Sequence, residues 1–168
     1  MKYTLLTVML LLFTGSMIGQ EYIEGSIITK RYDTIKNVKI KILNETKSVL
    51  HLTYIDAEGN VQKPNINTIK CYTRGDEKFC RVYHAGEMIM VKEIVQGTKL
   101  NLYKRHYNGA DLYYIEKVYD ELIKVPLRNG KFKKVIGNFL NSYPDVASKI
   151  KTSELTDINE IVKICNES

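Results

Sequence analysis

The stretch Ile69-Lys-Cys-Tyr-Thr-Arg-Gly-Asp-Glu-Lys-Phe-Cys-Arg-Val-Tyr83 decides how the chain is read. Two alternating runs flank Arg74-Gly-Asp-Glu77, and each run carries one cysteine. Alternation is the period of a strand and Gly-Asp is a turn pair, so the stretch predicts a β-hairpin. Cys71 and Cys80 are equidistant from Gly75-Asp76. Counting outward from the turn pairs Arg74 with Glu77, Thr73 with Lys78, Tyr72 with Phe79 and Cys71 with Cys80, the last a non-hydrogen-bonded pair. Such a pair brings Cα atoms to about 4.5 Å, within disulfide range. The cysteine face, continuing through Ile69, Val82 and His84, is expected to point into the core. Lys70, Tyr72, Phe79 and Arg81 are then expected outside. The Arg74-Gly75-Asp76 triplet resembles an adhesion tripeptide, but a tight turn asks for Gly-Asp on conformational grounds, so it is assigned no function.

Working outward, strands are expected at Tyr22 to Thr29 and Thr34 to Leu43, where Val38, Ile40 and Ile42 alternate with Lys39 and Lys41. A turn at Asn44 to Lys47 leads to a third strand from Ser48 to Tyr54, with Leu50, Leu52 and Tyr54 on one face. Pro64 makes Val61 to Asn67 an edge strand at best. After the hairpin, Glu87 to Gln96 is apolar on both faces, which suggests burial on both sides. Lys99 to Arg105 pairs back, His106 to Asp111 is a loop, and Leu112 to Lys117 forms a last hairpin with Leu122 to Pro126. From Asn129 the apolar period turns helical: Phe132, Val135, Ile136, Phe139 and Leu140. Pro144 starts a second helix. Asp157-Ile-Asn-Glu160 has the form of a capping box, and Ile158, Ile161, Val162 and Cys165 make one stripe, so Cys165 is a core thiol. The fold class is α+β: an antiparallel β-meander forming a rolled sheet or two small packed sheets, followed by two or three short C-terminal helices. Residues 20–127 form the β-rich body and residues 128–168 a helical segment packed on it.

Residues 1–19 have the composition of a secretory signal peptide: Lys2, an apolar run from Leu5 to Phe13, then small and polar residues. No transmembrane segment remains once it is removed, and the protein is expected in the periplasm or outside the cell. Of the formal net charge of +6, Lys2 carries one and the first 19 residues hold no acid, leaving +5. Export makes nucleic acid an unsuitable partner for this basic surplus. Anionic envelope polymers, lipid headgroups or an unidentified protein suit it better.

The N-terminal Gly25-Ser-Ile27, Asp33-Thr-Ile35 and Val38-Lys-Ile40, with the C-terminal Phe139-Leu140, Pro144, Ile150, Asp157, Ile161-Val162 and Asn166, carry a resemblance. The chain resembles small exported Bacteroidota proteins without an assigned function. The resemblance spans most of the mature chain and its motifs are turn, strand and cap residues. It implies no catalytic residues.

No catalytic set is found. The three histidines, His51, His84 and His106, are scattered. His84-x-x-Glu87 offers two ligands where a metal site needs three or four, so neither metal nor cofactor is expected. No Gly-x-Ser-x-Gly, Ser-x-x-Lys or His-Glu-x-x-His occurs. Twelve tyrosines mix with cations in Tyr103-Lys-Arg-His-Tyr107. Tyr72, Arg81, Tyr103, Arg105 and Tyr107 are therefore the candidate binding surface, beside the disulfide pair Cys71 and Cys80. Together these readings point to a non-enzymatic binding or interaction module of the envelope or the secreted fraction. The alternative is a hydrolase acting on envelope or extracellular polymer.

Overall fold

A computed structural model of the chain describes residues 21–168; the signal-peptide reading lies outside them. The strands are β1 Tyr22–Thr29, β2 Thr34–Lys41, β3 Tyr54–Ile55, β4 Val61–Gln62, β5 Ile69–Arg74, β6 Glu77–His84, β7 Glu87–Val95, β8 Leu100–Tyr107, β9 Ala110–Lys117 and β10 Leu122–Lys124. One helical turn, α1 (Glu45–Ser48), lies between β2 and β3, and α2 (Asn129–Phe139), α3 (Pro144–Thr152) and α4 (Ile158–Glu167) follow the sheet.

All ten strands form one antiparallel sheet in the order β10-β9-β8-β7-β6-β5-β1-β2-β3-β4. The expected rolled sheet or pair of packed sheets is corrected: the sheet is single and open. The reason lies at its edges. β4 has two residues and β10 has three, and Pro64 and Pro126 follow each within two positions. Edges this short, ended by residues that cannot donate, do not pair with each other.

The opening hairpin has the register counted from the sequence. Arg74 faces Glu77, Tyr72 faces Phe79, and Cys71 faces Cys80 at a Cα separation of 4.1 Å, joined by a disulfide. Its orientation departs from the expectation in part: Cys80 and Val82 on the cysteine face are buried at 9% each, but the face expected outside is buried more deeply. Tyr72 and Phe79 are only 2% and 1% exposed and stack at 4.7 Å between ring centroids, whereas Cys71 is half-buried. Both faces of the hairpin are apolar enough to be buried, so alternation could not rank them. The element that ranks them is α1, which docks on the Tyr72 side, where the Tyr72 hydroxyl donates to the Ser48 carbonyl at 2.7 Å.

α1 occupies the turn expected at Asn44 to Lys47, whereas the strand expected over Ser48 to Tyr54 is corrected to the short β3, Tyr54–Ile55. Asn44 accepts from the Lys47 amide at 2.9 Å and caps a helical turn instead. Val49 and Leu52 then drop into the core, and pairing resumes only at Tyr54.

On one face of the sheet the ladder aligns Ile27, Tyr72, Phe79, Lys92, Lys104 and Tyr113 in a single row. At one end of this face Ile27, Val38, Ile40, Tyr72, Phe79 and Met90 pack under Val49 and Leu52. At the other, Leu100, Leu102 and Ile115 pack under α2, α3 and α4. On the reverse face Val82, Ile89, Val91, Tyr103 and Tyr114 form a third cluster. β7 is thus buried on both sides, as its sequence indicated. Asp157 caps α4 by accepting from the Asn159 and Glu160 amides, and Cys165 is fully buried, where burial pushes its thiol up to about 11.

Two glycines are set by close approach. A Cβ on Gly25, at the bulge in β1, would collide with the Thr73 carbonyl. One on Gly97 would collide with Asn166, whose amide is committed on three sides: Oδ1 accepts from the Lys99 and Leu100 amides at 3.0 and 2.9 Å, and Nδ2 donates to the Leu100 carbonyl at 3.0 Å. Asn166 therefore clasps α4 to β8.

Candidate functional site

The five side chains expected on one binding surface are not brought together. Tyr72 and Arg81 lie on the helix-bearing face of the sheet, while Tyr103, Arg105 and Tyr107 lie on the reverse. Tyr72 is in the core. Tyr103 is 6% exposed, with its hydroxyl donating to Glu116 at 2.7 Å. Burial, then the bond to Glu116, pushes its phenol well above its ordinary value. Neither ring can stack on a ligand, and that part of the expectation is corrected. Arg105 and Tyr107 do reach the surface side by side, with the guanidinium carbon 4.8 Å from the ring centroid. Arg81 donates to the Asn67 and Met88 carbonyls at 2.6 and 3.3 Å.

Titratable groups converge most densely in a seam between the two cores of the helix-bearing face. Lys104 stands 3.2 Å from Glu45 and 3.0 Å from Asp111, and His106 Nδ1 donates to Asp111 at 2.7 Å. Next to it, Arg74 donates twice to Glu77, at 2.9 and 2.6 Å, and Lys92 reaches the same carboxylate at 2.7 Å. The hydrogen bond it donates to Asp111, ahead of the contribution of Glu45, holds the Lys104 ammonium above its ordinary value. His106 and Lys104 hold Asp111 below the usual carboxylate value. Burial works to raise Glu77, and Lys92 and Arg74 together override it, so that carboxyl too is lowered.

Glu45, His106 and Asp111 are the one group of three ligand-type side chains among the described residues whose ligand atoms lie close enough to share a metal ion, within 4.8 Å of one another. The ammonium of Lys104 already sits between the two carboxylates and His106 holds Asp111, so the trio is tied into an ion-pair and hydrogen-bond network. The gap lined by Glu45, Val49, Phe79, Lys92, Lys104 and His106 is about 10 Å³, at or below the room one water needs. A substrate cannot enter. The seam ties α1 to β8 and β9 and joins two apolar cores across a polar strip.

An open cleft lies elsewhere, between the exit of β10 and α2. It encloses about 420 Å³ and is lined by Lys124, Val125, Pro126, Leu127, Arg128, Lys131 and Val135. Its wall carries three cations and no acid. Lys124, Arg128 and Lys131 are exposed, and none takes part in an ion pair among the described residues. The floor is apolar. α2 has no acidic residue in its first turn and no side-chain cap, so its first amides add to the positive potential. Sequence reasoning missed this cleft. Lys124, Arg128 and Lys131 are spread over a strand end, a loop and a helix start, and no local period marks them.

No family model, curated protein or solved structure matches the chain.

Proposed function

We propose that this protein is an exported, non-enzymatic binding module that takes an anionic polymer of the cell envelope in the groove between β10 and α2. The observation that carries the reading is the lining of that groove: three exposed cations and no acid, over an apolar floor. A flexible polyanion gains from several such contacts at once, each weak alone. The disulfide between Cys71 and Cys80 suits an oxidising compartment, in keeping with the signal-like N-terminus. The resemblance to small exported Bacteroidota proteins agrees with this placement.

Titration with fluorescein-labelled poly-glutamate and with polyphosphate tests the reading. Binding is expected to weaken steeply as salt rises. The triple variant Lys124→Gln, Arg128→Gln, Lys131→Gln is expected to lose about tenfold or more in affinity, since three screened contacts of roughly 0.5 kcal/mol each sum to that. Unchanged affinity in the triple variant sinks the proposal.

A further inference from the structure

A second surface collects exposed aromatic and cationic side chains at one end of the sheet. The turn joining β1 to β2 and the turn joining β6 to β7 lie at this end, beside the start of β5. Tyr32 sits in the first turn with a left-handed φ of 67°, a conformation that costs a residue with a Cβ, and its ring is 71% exposed. The Lys70 ammonium lies 3.9 Å from that ring's centroid. Arg81 stands opposite Lys70 by the register of the hairpin, and its guanidinium reaches the Met88 carbonyl at 3.3 Å. Met88 pairs with Tyr83 across the next ladder, and these two are 46% and 65% exposed. Tyr32, Lys70, Arg81, Met88 and Tyr83 thus form one continuous strip, with Lys30 and Arg31 exposed at its border. The acids in or beside these two turns are Asp33 and Glu87, and Glu87 belongs to the reverse face with His84. At the opposite end of the strands the turns carry Asp76, Asp120 and Glu121 beside Lys99.

We infer that this strip docks on an anionic lipid bilayer surface. Charge complementarity names the occupant: four cations against a layer of phosphates. The apolar members favour a bilayer over a dissolved polymer. A tyrosine ring is apolar with a wet tip, and at the interface it buries the one while hydrating the other. Met88 likewise gains only where there is an apolar layer to enter. A soluble polyanion would engage Lys70 and Arg81 and leave Tyr83 and Met88 in water. Each basic residue near an anionic membrane strengthens attachment by roughly fivefold, and shallow insertion of the apolar side chains adds to it. The strip is separate from the groove between β10 and α2, and attachment there leaves that groove's own lining uncommitted.

Co-sedimentation with phosphatidylcholine vesicles, with and without phosphatidylglycerol, is the test. The protein is expected to sediment with the phosphatidylglycerol vesicles and to remain in solution with phosphatidylcholine alone. The variant Tyr32→Ser, Tyr83→Ser, Met88→Ser and, separately, Lys70→Gln, Arg81→Gln are each expected to weaken retention about tenfold or more. Tyr32, Tyr83 and Met88 are exposed and Lys70 and Arg81 half-exposed, and circular dichroism checks that the fold is kept. The natural chain has no tryptophan, so Tyr83→Trp supplies a sole reporter, whose emission should shift to the blue and be quenched by brominated lipid. Failure to sediment with anionic vesicles overturns the inference, and so does an apolar variant that binds as well as the parent. Loss of vesicle binding only in the Lys124, Arg128, Lys131 variant would move the contact to the groove and equally overturn it, while leaving the polymer reading standing.

Discussion

The two halves of the helix-bearing face solve one problem differently. Both must cover an apolar sheet surface. The β8–β10 half is covered by three helices that bring their own stripes: Phe132, Ile136 and Phe139 from α2, Val146 and Ile150 from α3, and Ile158, Ile161 and Val162 from α4. Side-chain hydrogen bonding there is concentrated in the Asn166 clasp. The β1–β6 half has a single helical turn and a loop above it. It fills the space with large side chains of the sheet itself, Tyr72 and Phe79, and anchors the loop through polar groups: the Tyr72 hydroxyl on Ser48, and buried Arg74 on the Leu43 carbonyl at 3.1 Å and the Ser48 hydroxyl at 3.0 Å. The contrast teaches that a short cover needs directional bonds, because it cannot bury enough apolar area of its own to stay down.

Three changes test that contrast. The largest effect is expected from Ile161→Ala in α4, which opens a void in a fully apolar layer and should cost about 3 kcal/mol in urea unfolding. A cost below about 1 kcal/mol would mean that this half does not depend on burial alone. Tyr72→Phe keeps the ring and removes one hydrogen bond, so about 1 kcal/mol is expected. Its signature is local: amide exchange should quicken over residues 44–52 and stay unchanged in α2 to α4. Equal quickening in both halves would erase the distinction.

The smallest effect comes from pH. Glu77 and Asp111, both in the seam, have carboxyls held below their usual values in the fold. A lowered folded-state value means that the stabilisation is fully present above the unfolded value, near pH 4 to 4.5, and is lost as pH falls through the folded one. Both groups are more than a third exposed, so screening keeps the total to roughly 1 kcal/mol or less. Between pH 6 and pH 3, exchange corrected for intrinsic rates should rise first around α1. The first turn of α4 should loosen with it, because Asp157 is lowered too, by the amides it caps. An α1 as protected at pH 3 as at pH 6 would show that the seam is not what holds it.

Much of this was legible in the chain itself. The hairpin register, the disulfide pair, the α4 cap and the buried place of Cys165 all follow from local spacing, because a ladder or a helical turn repeats with a fixed period. Residues 48–54 were misread because Leu50, Leu52 and Tyr54 alternate as in a strand while Asn44, four to ten positions upstream, starts a helical turn. The groove and the strip at the sheet end were not legible, since their members are joined by register across several strands or by docking of a helix.

The sequence by itself determined the periods: which stretches are strands, where the period turns helical, and which residues oppose one another at the first hairpin. Only the tertiary structure decided that both faces of that hairpin are covered and that the Tyr72 face is the deeper one. Strand alternation separates two faces but does not order them when both are apolar, and the order came from where α1 landed. The same docking turned Tyr72 from a candidate ligand platform into core, while Tyr103 was buried by the cluster on the reverse face, and Lys70 and Arg81 stayed half-exposed on the hairpin.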